Sequence, residues 1–139
     1  MFRNRIVLLS IVAILPGLTA CGDDSVQPGA QIEGTWGAQH IMLVADNAGG
    51  VLEYDCAHGT IDEALIPDAD GQFDFSGTHT RESGGPVHSG EEPEVHAARY
   101  RGRVVGDRLT LTVTLTDSGD VLGPYTLVRG DLGRVYKCL

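Results

Sequence analysis

Histidines and glutamates that cluster in the middle of the chain are the first candidates for chemistry. They are His79, His88 and His96, together with Glu82, Glu91 and Glu92. Imidazole and carboxylate groups are common zinc ligands. The spacing, however, contains no His-Glu-x-x-His, no His-x-His and no spare cysteine ligand. We therefore predict neither a metal site nor a cofactor.

His58 is a second candidate, because it follows Cys56 by two residues and can point to the same side of a strand. If the ring points inward, Asp55, Asp62 or a backbone carbonyl could satisfy it. We interpret it as a buried structural histidine rather than a catalytic base. An enzyme would require His58 or His79 to lie within hydrogen-bond reach of a carboxylate in a pocket.

Nucleophilic catalysis has little support in this sequence. No serine sits in a Gly-x-Ser-x-Gly turn, and no glycine-rich phosphate loop precedes a helical pattern. We predict no catalytic residue.

The elements that would hold these side chains are strands and turns. The clearest strand is 108–116, where apolar residues alternate strictly with threonines. Segments 95–105 and 72–80 alternate as well, and Gly-Asp and Asp-Gly turns separate the strands. The weaker predicted strands are 34–39, 40–45, 51–56, 59–66, 123–129 and 134–138. Seven to nine short strands predict an all-β fold, a small antiparallel up-and-down barrel.

Two polar features accompany this strand pattern: a long loop and a row of arginines. Residues 81–94 are predicted to form a long polar loop, and loops of that length inside compact domains are often either functional or disordered. Arg99, Arg101 and Arg103 share one outward face. We interpret them as cross-strand partners of Asp74 or other acids. The alternative is a docking face for an acidic partner or for lipid headgroups.

The N-terminus has the pattern of a secretory signal. Arg3 and Arg5 precede an apolar stretch over residues 6–15, which is about half of the ~20 residues that span a bilayer. The following Leu-Thr-Ala-Cys resembles the bacterial lipobox, whose cysteine carries fatty acyl groups such as palmitate. The resemblance implies a signal peptide over 1–20 and lipid on Cys21. Because the residues after the cysteine show no periodicity, we predict a flexible tether over 21–31, and the strand pattern places the barrel domain over 32–139. Gly22 after the cysteine favours the outer membrane, facing the periplasm or the cell surface.

Two cysteines remain once Cys21 is assigned to lipid. Because the bacterial envelope outside the inner membrane is oxidising, we predict a disulfide between Cys56 and Cys138. It would connect the C-terminus to the middle of the domain.

The charge of the chain argues against nucleic-acid binding. Without residues 1–20, eight basic residues face 19 acidic ones, a net charge near −11. Phosphate attraction needs a basic face, so we predict no nucleic-acid partner. The membrane, through Cys21, and a small molecule or a protein remain as partners.

The sequence Gly34-Thr35-Trp36 resembles the opening strand of the calycins, the lipocalin and avidin-like barrels. In that family the tryptophan closes one barrel end and an arginine from the last strands stacks over it. The resemblance implies this role for Trp36 with Arg129 or Arg134.

Two further resemblances concern whole-chain pattern. Segments 54–61 and 77–82 and the terminal Lys-Cys-Leu resemble a group of uncharacterised small bacterial lipoproteins, which implies no activity. Tyr54-Asp55-Cys56 with Gly59, and Cys138 near the end, resemble bacterial lipoproteins that inhibit lysozyme.

These observations lead to one working hypothesis and one alternative. We expect a non-enzymatic binding module with a small ligand at the barrel mouth and the 81–94 loop. The expected lining residues are Tyr54, His58, Phe75, His79 and Tyr100. The alternative is a protein-docking inhibitor of a cell-wall hydrolase.

Overall fold

A computed structural model describes residue 27, residues 29–86 and residues 90–138 of the chain. Every regular element within these ranges is a strand. The strands are β1 Gly34–Ala38, β2 Ile41–Ala45, β3 Gly50–Tyr54, β4 Ala57–Ile61, β5 Gln72–Arg81, β6 Glu94–Val105, β7 Arg108–Leu115 and β8 Val121–Arg129. The predicted all-β fold is confirmed, and the eight strands lie within the predicted number.

The eight strands form one closed antiparallel barrel in chain order. β8 closes the barrel on β1, with Trp36 opposite Arg129 and Gly37 opposite Val128. Closure leaves the sheet without a free edge for further pairing.

The turns alternate between two ends of the barrel, which we name for reference. The entry end, where the chain leads into β1, has the turns 46–49, 62–71 and 106–107. The disulfide end has the turns 39–40, 55–56, 82–93 and 116–120.

The alternation of residue types decides which face each strand buries. In β7, Leu109, Leu111, Val113 and Leu115 point into the barrel and are at most 2% exposed, while the threonines face outward. Burial of the apolar face is the main favourable term for such a strand. The three strongest strand predictions, 72–80, 95–105 and 108–116, are confirmed to within one residue at each boundary.

Aromatic rings fill the barrel interior. Tyr100 is fully buried, and glycines on β4 and β5 leave room for its ring. A Cβ added at Gly59 would overlap the Tyr100 hydroxyl, and one added at Gly77 would lie 2.9 Å from Tyr100 Cε2. Phe73 and Phe75 stack nearby, with ring centroids 5.2 Å apart. The interior is therefore a packed core.

Two of the weaker strand predictions are wrong. Residues 134–138 form no strand, and only Arg134 makes a single bridge, to Gln39. The reason is closure, since β1 already pairs with β2 and β8 and offers no edge. The predicted strand 59–66 is β4, which ends at Ile61 and continues as a loop.

The chain crosses the entry end before β1 begins. Ile32 is fully buried there, and its backbone N–H donates to the carbonyl of Leu65 at 2.8 Å. The predicted signal peptide, the predicted lipidation site Cys21 and residues 22–26 and 28 of the predicted tether lie outside the described residues. Among the residues described, no helix has the length and apolar character needed to cross a bilayer.

The predicted disulfide between Cys56 and Cys138 is confirmed. The tail over residues 130–138 runs along the outside of β1 toward the disulfide end. The His40 backbone N–H donates to the Arg134 carbonyl at 2.7 Å, and the Tyr136 N–H donates to Asp55 Oδ1 at 2.7 Å. The tail is thus held by a few polar contacts and one covalent bond.

Replacing both cysteines, as in Cys56→Ser with Cys138→Ser, should lower the free energy of unfolding by about 4.5 kcal/mol. The reason is the chain entropy that the unfolded state regains when a loop of 82 residues is opened. Denaturant titration measures the loss, and Ser118→Ala serves as a surface control. A loss under about 1 kcal/mol would contradict this role.

Gly77→Ala should lower the free energy of unfolding by roughly 2–3 kcal/mol, because overpacking a filled core forces side chains and backbone to shift. The added methyl group would overlap the Thr60 carbonyl oxygen and crowd Tyr100. Gln72→Ala, exposed on the same strand, should change it by less than about 0.5 kcal/mol. Equal losses in the two variants, measured by thermal denaturation, would show that the interior has spare room.

Candidate functional site

Four of the five expected ligand-lining residues point into the barrel. Tyr54, Phe75, His79 and Tyr100 are each at most 6% exposed. The Tyr100 hydroxyl donates to the Thr78 carbonyl at 2.5 Å, and burial raises the pKa of Tyr100 to about 12. These side chains are parts of the packed core and have almost no contact with solvent.

The interior is polar near the disulfide end. The rings of Tyr54 and His79 lie 5.2 Å apart, and Tyr125 packs against Tyr54 at 6.0 Å. Tyr54 Oη and His79 Nδ1 are buried and make no hydrogen bond to any described residue. Burial raises the pKa of Tyr54 and lowers that of His79, so both side chains are neutral near pH 7.

His58, the fifth expected lining residue, faces outward, so its expected inward orientation is wrong. The reason is strand parity, because Ala57 and Gly59 beside it take the inward positions of β4. Its partner is Glu82, with His58 Nδ1 and Glu82 Oε1 2.7 Å apart, and not Asp55 or Asp62.

His58 lines an open cleft of about 460 Å³ on the outside of the disulfide end. The floor is the outer face of β4 and β5, the rim is the two ends of the loop between β5 and β6, and Cys138 closes one side. The lining residues are His58, Thr80, Arg81, Glu82, Ser83, Glu91, Glu92, Pro93, Glu94 and Cys138. The described residues at the two ends of the predicted 81–94 loop thus border the cleft.

A lysine of the C-terminal tail joins the histidine–carboxylate pair. Lys137 Nζ donates to Glu82 Oε1 at 3.1 Å and to the Ala57 carbonyl at 3.0 Å, and it forms an ion pair with Glu53. The hydrogen bond from His58, and then the one from Lys137, lower the pKa of Glu82. Glu82 is therefore an anion with two fixed partners, and it fixes the imidazole in turn.

The hydrogen bond between His58 and Glu82 holds the imidazole ring through Nδ1 and leaves Nε2 available for a bound molecule. With Nδ1 on the carboxylate, Nε2 has no hydrogen-bond partner among the described residues. An imidazole held in this way can accept a hydrogen bond or a proton from a bound molecule. His58 thus meets the geometric requirement that an enzyme would have, whereas His79 does not. No hydroxyl of the described residues is hydrogen-bonded to His58 as a nucleophile would be.

A second histidine–carboxylate pair lies on the open surface. His40 Nδ1 and Asp55 Oδ2 are 2.5 Å apart, and the His40 side chain is 54% exposed. His40 does not line the cleft. The two pairs share their bonding pattern and differ in surroundings.

A metal site would require the histidines and glutamates singled out in the sequence to lie close together. Within residues 27, 29–86 and 90–138, no group of three or more histidine, cysteine or acidic side chains is placed to hold a metal ion. His79 and His96 lie opposite each other on β5 and β6, but His96 is bonded to Asp117 and Glu94. His88 lies outside the described residues.

Trp36 and Arg129, expected to close one barrel end, are direct neighbours across the β1–β8 pair. Trp36 is fully buried, and its indole N–H donates to the Glu33 carbonyl at 3.1 Å. The register places Arg129 beside the ring, and the stacking of its guanidinium stays a prediction.

The sequence analysis did not single out Lys137 or Thr80. Two sequence positions could have predicted that Lys137 lies near His58. It precedes Cys138, and His58 follows Cys56 by two residues. A disulfide between those cysteines therefore brings Lys137 and His58 to one place.

Comparison with protein-family models, with curated proteins and with solved structures finds no match to this chain.

Asp117→Asn should lower the pKa of His96 toward its ordinary value, because the Asp117 hydrogen bond is the main cause of the raised pKa. NMR titration of the His96 ring measures this shift. A raised folded-state pKa stabilises the fold at low pH, and the contribution is lost as pH rises through that pKa. His96 should therefore make the unmodified chain more stable than Asp117→Asn at low pH. This difference in the free energy of unfolding should shrink as pH rises through the folded-state pKa of His96.

Asp120→Asn is the matched control for this titration. Asp120 lies in the same turn and accepts a hydrogen bond from Ser118 rather than from His96. The midpoint of His96 should stay unchanged in this variant. Equal midpoints in all three proteins would contradict the assignment.

Proposed function

We propose that this chain is a membrane-anchored lipoprotein of the bacterial envelope whose barrel is a non-enzymatic binding module for a small ligand. The ligand site is the outer cleft at the disulfide end, not the barrel interior. The observation that carries the proposal is an oriented imidazole, His58 held by Glu82, in a cleft of about 460 Å³. That volume falls within the range of small-molecule sites.

The packed core supports the outer location. A ligand inside the barrel would have to displace Tyr54, His79 or Tyr100, which are almost fully buried. The lipobox-like sequence before Cys21 supports the anchor, and acyl chains hold a protein firmly when two or more are present. The placement in the outer membrane is part of the same proposal.

The cleft offers both charge signs and hydrogen-bonding groups. Carboxylates dominate its rim, and Arg81 is the cation among its lining residues. A ligand with a hydrogen-bond donor for His58 Nε2 fits this lining. The absence of a hydroxyl nucleophile bonded to His58 within the described residues favours binding over catalysis.

His58→Gln should abolish or strongly weaken binding of any ligand of the cleft, because glutamine cannot reproduce the oriented ring nitrogen. A thermal-shift screen of small metabolites with the unmodified protein identifies candidates, and NMR titration measures their affinity. We expect a loss of about tenfold or more, the size of one hydrogen bond to a buried or charged group.

His40→Gln is the matched control, because it removes a ring with the same carboxylate bonding outside the cleft. It should leave the affinity unchanged. Equal effects of the two variants, or a complete screen without any ligand, would overturn the proposal.

The alternative is docking to a cell-wall hydrolase. The Cys56–Cys138 disulfide matches the cysteine pair of the lysozyme-inhibitor pattern. Addition of the protein to a lysozyme assay distinguishes the two functions: inhibition would support docking, and undiminished lysis would remove it.

A further inference from the structure

One outer wall of the barrel lacks carboxylates in a strongly acidic chain. Strands β6, β7 and β8 contain a single acid, Glu94, at the disulfide end. Their outward positions carry arginine, threonine, valine and alanine instead. We name the part nearest the entry end the basic wall; its members are Arg101, Arg103, Val105, Arg108, Thr110 and Val128.

The arginines of this wall are only partly neutralised. Asp74 on β5 is the carboxylate shared by Arg99 and Arg101, at 2.9 and 3.0 Å, as the sequence predicted. Arg103 donates to the Asp70 backbone carbonyl at 3.1 Å. Neither Arg103 nor Arg108 forms an ion pair with a described residue. The pairing prediction is thus confirmed for Arg99 and Arg101 and is wrong for Arg103, which bonds a backbone carbonyl instead.

The acid at the far end of β6 does not cancel this local charge. Along β6, Glu94 lies nine residues from Arg103, about 30 Å at strand spacing. The Debye length at physiological salt is about 8 Å, so charges at that distance are screened. Asp70 and Asp107 lie closer, in the turns of the entry end. The contact surface of the wall itself remains arginine, threonine and valine.

The position of the N-terminus brings this wall near a membrane. Gln27 sits at the entry end, where its carbonyl accepts a hydrogen bond from Ala30 and where Gly29 approaches Asp68. Cys21 precedes Gln27 by six residues, a reach of about 20 Å at most. A lipid on Cys21 would therefore hold the entry end close to the headgroups. Such tethering gives a high effective concentration, so a weak contact suffices.

We propose that the basic wall docks onto anionic lipid headgroups of the membrane that anchors the chain. This inference rests on the anchoring part of the proposed function. Guanidinium groups suit phosphate, and threonine hydroxyls can donate to it. Each arginine near an anionic surface raises binding by a factor of about five. The exposed Val105 and Val128 add apolar contact at the interface.

Docking through this wall would fix the orientation of the cleft relative to the membrane. In a closed barrel of eight strands, β7 lies four strands from β3 in either direction. The opposite side, formed by β3 and its neighbours, would face away from the lipid. The cleft lies at the disulfide end, away from the entry end that the wall adjoins, and His58 within it lies on β4 next to β3. The ligand site would thus stay open to the surrounding medium.

Tryptophan quenching tests the orientation. The chain beginning at Cys21 is coupled through that thiol to maleimide lipid in vesicles, so natural lipidation is not needed. Thr110→Trp reports on the basic wall, and Val51→Trp on the opposite, exposed β3 face. Buried Trp36 gives the same background in both. Circular dichroism confirms that each variant folds.

Brominated lipids should quench the indole introduced by Thr110→Trp several-fold more than the one introduced by Val51→Trp when the vesicles contain phosphatidylglycerol. The two variants should be quenched equally in pure phosphatidylcholine and at high salt. Replacing all three wall arginines in the Thr110→Trp protein should lower its quenching to the level of the Val51→Trp protein. The substitutions are Arg101→Gln, Arg103→Gln and Arg108→Gln. Arg81→Gln with Arg134→Gln, arginines outside the wall, should preserve it.

Equal quenching at the two positions on phosphatidylglycerol would overturn the docking proposal. So would a difference that persists in neutral vesicles, because charge would then not be the cause. An acidic protein would then be the better candidate for the wall. Mass spectrometry of Cys21 in the exported protein tests the anchor separately, so failure of the anchor and failure of docking are distinguishable.

Discussion

The constraint on which this structure depends is that the sheet closes on itself around a filled interior. Pairing of β8 with β1 removes both strand edges. Tyr100, which fits because Gly59 and Gly77 lack side chains, occupies the middle. A molecule of this construction has no edge for strand addition and no open interior for a ligand. A binding site built from the described residues is therefore expected on the outer faces, in the turns or on the tail.

The C-terminal tail shows how such an outer site is built. Without a strand edge, residues 130–138 cannot join the sheet, and a disulfide holds them against it. That bond places Lys137 beside Glu82, which in turn orients His58. The disulfide therefore contributes to the cleft as well as to stability. Both effects have the same cause, because the disulfide that closes the loop also holds the C-terminal tail at the cleft.

The fold was largely predictable because its signal is local. Alternation in β5, β6 and β7 fixes their inward faces, and the Gly106-Asp107 turn joins β6 directly to its partner β7. The disulfide followed from counting cysteines and from the prediction of an oxidising compartment. The tail over 134–138 was not predictable in this way. Its residues resemble a strand, but a strand needs a partner, and closure elsewhere in the chain removed it.

The candidate site was less predictable, because it depends on parity and on distant pairs. The sequence named His58 and Glu82 separately and placed them in different roles, although they lie 2.7 Å apart across β4 and the end of β5. A shift of one residue in strand parity changes a core histidine into a surface one. Cys56, in the turn before β4, has no fixed inward face, so its spacing to His58 could not decide the orientation.

Surroundings, rather than residue type, distinguish the histidines of this chain. His40, His58 and His96 each contact a carboxylate through Nδ1, at 2.5, 2.7 and 2.7 Å. In His96 the second nitrogen is also bonded, to Glu94. His40 stands on open surface, where water competes for its free nitrogen. Only His58 of these three combines a free Nε2 with a cleft. A motif search would score the three alike, whereas the shape of the surface around each ring separates them.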